Sequence, residues 1–410
     1  MDYSLHTLQN GIRLLHAPSA STISHACVLI NRGSRDEPVG KAGLAHFIEH
    51  LIFKRTKKRS TNQILNRLES VGADLNAYTT KEYTCIHASF LNPYLDRTLE
   101  LFSDILFNST FPEEEMQKEK SVILDEIASY EDQPEEAIQD DFEDVLFAGN
   151  PLGNNILGTI ETVKNFTRND VLTFIKGNYH TDEIVIGLLG NYNFKRVSAT
   201  GERHFGDVPQ NTSSNKRQKA SILPQSEVTR FRPINQSHCM LGLQTFDTHH
   251  PKKAGLLLLN NYLGGNGMSS VLNLQIREKY GIAYTIESNY APLSDTGIFC
   301  IYFGTEQEKH QKALTLIYKE IDKLKGKPLN TLQLQKAKNK FIGQIALAEE
   351  NRMGLIISMA KSLLDHGRVD TLQEVFDKIN AVSTKDFAEI AEELLDKSKF
   401  TTFNFHPLPE

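Results

Sequence analysis

The chain reads "KAGLAHFIEHL" from Lys41 to Leu51 and "KAGLLLLNNYL" from Lys253 to Leu263, so that one KAGL opens a segment in each half. A second pair comes in the same order: "MQKEKSVILDEIA" starts at Met116 and "LQKAKNKFIGQIA" at Leu334. All four segments space their apolar residues as helices do. Self-similarity at a nearly constant offset marks a duplicated unit.

The elements around these segments repeat too. In the first half, Asn10-Gly11 reads as a turn between two strands, the second near 11–16, with another strand near 24–32. Helices are expected near 41–54 and 60–71, strands near 74–79 and 83–90, and long helical stretches from 93 to 147. "EIVIGLLG" closes the half as a strand. The second half repeats the order: strands near 227–233 and 238–246, helices near 251–264 and 270–280, strands near 283–290 and 297–303, more helices, and the strand "FTTFNF". The fold class is therefore α+β, with two homologous domains, each an antiparallel or mixed sheet covered by helices. The polar stretch 206–225, "GDVPQNTSSNKRQKASILPQ", reads as a linker between domains 1–205 and 226–410.

Composition narrows the function classes. The 410 residues are 40% hydrophobic and 23% charged, with a net charge of -6. That is ordinary globular usage with no basic footprint for nucleic acid and no polybasic patch for a membrane. The apolar runs have strand length, not membrane-spanning length, and the N-terminus "MDYSLHTLQNGIRLLH" does not read as a signal peptide. Cys27, Cys85, Cys239 and Cys300 stand singly in apolar surroundings with no CxxC pair, which suits buried thiols in a reducing, cytoplasmic setting.

The duplication is also an internal control. In its register His46 faces Leu258, Glu49 faces Asn261, His50 faces Tyr262, Glu119 faces Ala337 and Glu126 faces Gln344. One copy of the scaffold carries ionisable groups where the other carries none, so the scaffold itself does not require them. His46 and His50 are one helical turn apart and project from one face. Two imidazoles so placed suit zinc. Glu126, two turns after Glu119 on the second long helix, is the candidate third ligand. Two histidines and a carboxylate leave a fourth position for water, as in catalytic zinc sites. Glu49 is then left over beside a ligand, where a carboxylate can take a proton from that water and pass it to a leaving amine. Taken alone, histidines four apart are more often surface or core residues than ligands. The unmatched second copy and the downstream carboxylates shift the reading to a metal-dependent hydrolase.

HxxEH, from His46 to His50, with a distal glutamate at Glu126 resembles the inverzincins, the pitrilysin- or insulinase-type metallopeptidases. The chain is similar to their short two-domain bacterial members and to the β subunit of the mitochondrial processing peptidase. "NGIRLLHAPS", "GSRDEPVGKAGLAHFIEHLIFK", "GADLNAYTTKEYT", "PLGNNILGT" and "LGGNGMSSVLNLQIREKYGIAY" carry the resemblance over nearly the whole length. It implies one zinc per chain on His46, His50 and Glu126, Glu49 as general base, and Glu119 holding a histidine ligand. It implies that Arg277 and Tyr284, in the domain without zinc, bind substrate and stabilise the oxyanion. It implies that Asn76, Ala77 and Tyr78 form an edge strand that pairs with the substrate backbone, and that Gly264 and Gly265 lie near the substrate N-terminus. "LGGNG" is no phosphate loop, since it lacks the lysine and the preceding strand.

The implied enzyme is a zinc metalloendopeptidase cutting peptides or unfolded segments inside a clamshell chamber. Long relatives build that chamber from four such domains; two domains form half of it, so a homodimer is expected. The alternative is a non-catalytic or heterodimeric assembly subunit of the same family. Three positions depart from the family pattern: "FKRT" at Phe53–Thr56, Val271 in place of arginine, and Thr181 in place of proline. Other histidines, among them His25, His87, His180, His238, His249 and His250, read as structural or solvated.

Overall fold

The computed structural model describes residues 2–213 and 216–409. Ser214 and Asn215, inside the segment read as a linker, and the terminal Met1 and Glu410 lie outside the described residues. The chain forms two compact units: residues 1–128, 154–217 and 348–372 make unit 1, and residues 129–153, 218–347 and 373–410 make unit 2.

Unit 1 holds a six-stranded sheet of β1 (Ser4–Thr7), β2 (Arg13–Pro18), β3 (Ile23–Ile30), β4 (Asp74–Thr79), β5 (Thr84–Leu91) and β6 (Ile184–Gly190), in the order β1-β2-β6-β3-β5-β4. Unit 2 holds a five-stranded sheet of β7 (Glu227–Arg232), β8 (Ser237–Thr245), β9 (Ala283–Pro292), β10 (Gly297–Thr305) and β11 (Thr401–Pro407), in the order β7-β11-β8-β10-β9. The β2–β6 and β7–β11 pairs are parallel and every other pair is antiparallel. With β1 set aside, the two sheets have one topology, as the duplicated sequence requires. Each is a mixed sheet covered by helices.

The helices that cover the sheets or carry the repeated segments are α1 (Leu44–Leu51), α2 (Glu113–Glu131), α3 (Pro134–Leu146), α4 (Lys253–Gly264), α5 (Thr331–Ala348) and α6 (Arg352–His366). Between α4 and β9, where a helix is expected near 270–280, the stretch Asn273–Glu278 winds as a wide π-helical turn.

The central strands are apolar without alternation because both faces of each sheet are buried. In unit 1 one face carries Leu14, Ala26, Val28, Ile30 and Ile186 into a core shared with α1. The other carries Leu15, Ala17, Cys27, Leu29 and Val185 against Ile356, Met359, Ala360 and Leu363 of α6. Gly187 is required there: a Cβ on it would stand 2.8 Å from Cys27 Sγ and 3.0 Å from Ile356 Cγ1. In unit 2 the matching face, with Met240, Ile298, Phe403 and Phe405, is covered by Ala137, Ile138, Phe142 and Leu146 of α3. Truncating a buried anchor such as Ile356 or Phe142 to alanine costs about 2–5 kcal/mol.

The covering helix of each sheet thus comes from the other half of the sequence. Domains 1–205 and 226–410, as read from the sequence, differ from the units in this respect: residues 129–153 and 348–372 change sides. The duplication persists in fine detail. Buried Lys120 on α2 donates to the Lys164 carbonyl at 3.0 Å, and Lys338, its counterpart on α5, donates to the Asn380 carbonyl at 2.7 Å.

Candidate metal centre

His46 and His50 leave α1 on one face, with ring centroids 4.7 Å apart and planes at 66°. Glu126 comes to meet them from α2. His46 Nε2 stands 3.7 Å from Glu126 Oε1, and His50 Nε2 stands 3.6 Å from Glu126 Oε2. Donor atoms of the three residues all lie within 4.8 Å of one another, the single group of three such residues among those described. The imidazole–carboxylate distances are too long for hydrogen bonds. They fit donors that share an ion: ligands about 2.1 Å from a tetrahedral zinc stand about 3.4 Å apart.

Burial acts on these groups. It pushes the His46 imidazole down to about 3, with His50 adding to the effect, so His46 is neutral and able to donate a lone pair. It also raises the Glu126 carboxyl above the usual range, opposed by His50.

The surrounding side chains set the donors. Glu119 lies 3.1 Å from His50 Nδ1 and receives Lys54 Nζ at 2.6 Å. Burial pushes the Glu119 carboxyl up, but these two partners outweigh it and hold it below the usual range. A carboxylate on Nδ1 turns the Nε2 lone pair of His50 toward Glu126. Glu49, on the same helix, is not within the ligand group. Thr79, the last residue of β4, donates its hydroxyl to Glu49 Oε2 at 2.6 Å. Burial raises the Glu49 carboxyl above the ordinary range, against that hydrogen bond and His50.

α1 has only eight residues and starts on Gly43, whose φ is 93°. Glycine has no side chain to cap the helix. The cap comes from Glu37, whose two carboxylate oxygens accept the N–H groups of Gly43 at 3.0 Å and Ala45 at 2.8 Å. Sequence reasoning passes over Glu37. Its signal is a helix that begins on glycine with no Ser, Thr, Asp or Asn at the cap, and so needs an acceptor from outside.

Burial pushes the Glu37 carboxyl from 4.5 up to about 8, against those two bonds. A carboxyl raised by folding contributes stability in full below its unfolded value and loses it as the pH climbs through the folded one. Between about pH 5 and about pH 9, wild-type protein should therefore lose thermal stability relative to Glu37→Gln. Parallel melting-temperature profiles for the two proteins would remove Glu37 from the pH dependence.

In unit 2 the same positions hold no such group. Leu258 is a core residue, and Asn261 Nδ2 donates to Gln344 Oε1 at 2.7 Å where the first copy has Glu49 and Glu126. Gln344 Nε2 then donates to the Asn266 carbonyl of the glycine-rich loop at 2.7 Å. Neutral amides tie a loop in place of a metal centre.

The remaining sequence-derived residues are placed as follows. Asn76, Ala77 and Tyr78 lie on β4, an edge strand, where the Asn76 side chain accepts the Ala77 N–H at 2.8 Å. Arg277 is exposed in the π-helical turn, and Tyr284, on edge strand β9, is 63% exposed. Gly264 and Gly265 have packing reasons of their own: a Cβ would meet the Ser288 nitrogen at 2.6 Å at the first and Asn261 Cα at 2.5 Å at the second. Thr181, in place of proline, donates its N–H to the Asn211 carbonyl and its hydroxyl to the Asn10 carbonyl, and proline has neither donor. All four cysteines are free and buried.

Comparison with known proteins gives the family. Residues 14–160 match the family model "Insulinase (Peptidase family M16)", and residues 165–341 match "Peptidase M16 inactive domain". The chain is 31% identical to the uncharacterized zinc protease YmxG of Bacillus subtilis, over 95% of each chain. It is 30% identical to an uncharacterized zinc protease of Mycobacterium leprae, over 95% of this chain and 89% of that one. A protease from Helicobacter pylori has the same fold, with a TM-score of 0.90 at 21% identity over 99% of both chains. So does a protein from Pseudomonas fluorescens described as a peptidase M16 inactive domain, with a TM-score of 0.91 at 17% identity over 100% of this chain and 99% of that one. With a two-unit fold, an HxxEH helix facing a distal glutamate and relatives matched over most of their length, the chain belongs to the insulinase-type peptidase family M16.

Proposed function

We propose that the chain is a zinc-dependent endopeptidase that hydrolyses peptides or unfolded polypeptide segments. The observation that carries this reading is the spacing of His46, His50 and Glu126: too long for hydrogen bonds, right for one shared ion. Zinc held there would polarise the scissile carbonyl and make a bound water acidic.

This chain's own residues do the rest. Glu119 and Lys54 orient His50, and Glu37 fixes the start of α1. Glu49, held by Thr79, takes a proton from the attacking water and delivers it to the leaving amine. β4 is an edge strand beside that base, and Thr79 joins the two. A substrate laid along β4 as an added strand would place its backbone by main-chain bonds and take over the Ala77 N–H from Asn76.

The second unit offers Arg277 and Tyr284 as exposed donors for a substrate carbonyl or oxyanion. In a homodimer, each zinc centre is completed by the partner's Arg277 and the partner's Tyr284. Among the described residues no helix is long and apolar enough to cross a membrane. The free buried thiols suit the cytoplasm.

Metal analysis tests the core of this reading. Purified protein should carry about one zinc per chain. Stripping it with a chelator should abolish peptide cleavage, and adding zinc back should restore it. Protein that takes up no zinc after loading, or that cleaves peptides equally well once stripped, overturns the proposal.

A further inference from the structure

The chain leaves unit 1 directly after Arg217. This arginine stands in the polar segment 206–225, whose described residues form neither helix nor strand. Those described residues are nevertheless fastened at several points. The Asn211 N–H donates to the Thr181 hydroxyl at 3.0 Å, and the Asp182 carboxylate accepts the Ser213 N–H at 3.1 Å. Arg217 makes the densest attachment. Its Nε and Nη2 fork onto the two oxygens of Asp36, both at 3.0 Å. Nη2 also donates to the carbonyls of Glu82 at 2.6 Å and Asn31 at 3.0 Å. Only 14% of the Arg217 side chain and 8% of the Asp36 side chain remain exposed, which makes this a two-pronged ion pair shielded from water.

Both loops that Arg217 grips lead to the metal centre. Asp36 is followed by Glu37, the cap of α1. Glu82 lies in the turn after β4, close behind the Thr79 that holds Glu49. The two loops are laced together: the N–H groups of Ser34 and Arg35 donate to the carbonyls of Thr80 at 3.1 Å and Lys81 at 2.8 Å. The Arg35 guanidinium reaches the Glu82 carboxylate at 2.6 Å. Arg217 closes this lacing from outside, with a residue far away in sequence.

We infer that Arg217 is a positioning residue for the metal centre: it clamps the loop that caps the histidine helix to the turn behind the base. The inference rests on the zinc reading of His46, His50 and Glu126. Without the guanidinium the lacing of the two loops loses its outer closure, the first turn of α1 loosens, and the two imidazoles hold their separation from Glu126 less firmly.

The test is zinc affinity, measured on the full chain by competition with a chromogenic chelator at a temperature where every variant is folded. Arg217→Ala should bind zinc about tenfold more weakly than wild type, within the range for residues that orient metal ligands. Arg217→Lys keeps the charge but not the fork and should fall between the two. Arg230→Ala is the control. It removes an ion pair of similar length in unit 2, to Asp141 at 2.6 Å, and should leave zinc affinity unchanged. If Arg217→Ala does not fold, Arg217→Lys carries the comparison. Wild-type affinity in the folded variants overturns the inference and leaves Arg217 as an anchor of the segment alone. A wild-type chain that takes up no zinc is a different failure, seen before any variant is compared: it overturns the zinc reading, and the inference falls with it.

Discussion

Glu49→Gln is expected to keep its zinc and lose about 10²–10⁴-fold in turnover. Glutamine has the size of glutamate, and its amide oxygen can still accept the Thr79 hydroxyl that now reaches Glu49 at 2.6 Å. The helix and its histidines are therefore left in place. The variant loses only the ability to take and return a proton. Peptide binding should persist, so the loss falls on kcat and not on KM. Zinc content, kcat and KM measured together separate the readings. Turnover at the wild-type rate removes Glu49 from the chemistry. Loss of zinc makes it a ligand, against a structure in which His46, His50 and Glu126 form the group.

Two inactive proteins, mixed, should regain activity. One is Glu49→Gln; the other carries Arg277→Ala and Tyr284→Phe. In a mixed dimer the second chain keeps Glu49 and its whole zinc centre, and the first chain brings an intact Arg277 and Tyr284. One site per mixed dimer is then complete. With free subunit exchange at equal amounts, half the dimers are mixed, and about a quarter of all sites should work. The assay is peptide cleavage after mixing, with exchange followed by differently tagged chains. Demonstrated exchange without activity would place the Arg277 and Tyr284 contribution within one chain, or outside catalysis.

Much of this architecture was legible before any coordinates. The pairing of Lys41 with Lys253 and of Met116 with Leu334 anticipated two sheets of one topology, because a repeated pattern of strands and helices has few ways to pack. His46, His50 and Glu126 were legible because the second copy shows what the scaffold looks like without them: Leu258, Tyr262 and Gln344. The residues that set the site were less visible. Glu37 reaches its helix from outside, and Arg217 reaches its loop across 181 positions, so neither leaves a local pattern. The π-helical turn at Asn273–Glu278 keeps an apolar periodicity close to that of an α-helix. The side change of α3 and α6 was hidden for another reason. Amphipathic spacing tells that Ile138 and Phe142, or Ile356 and Ala360, face a sheet; it does not tell which sheet.

That side change bears on how such a chain can arise. With the helices placed as they are, a single repeat would leave Leu15, Cys27, Leu29 and Val185 bare, and its own covering helix would have no sheet beneath it. A second copy giving back the same helix answers both needs at once, and this is the logic of a swapped dimer. Fusing the two copies makes that exchange independent of protein concentration. It also frees the second copy from duplicating the group of two histidines and a glutamate: a repeat that must lend a helix has to stay, while the histidines in it can become leucine and tyrosine.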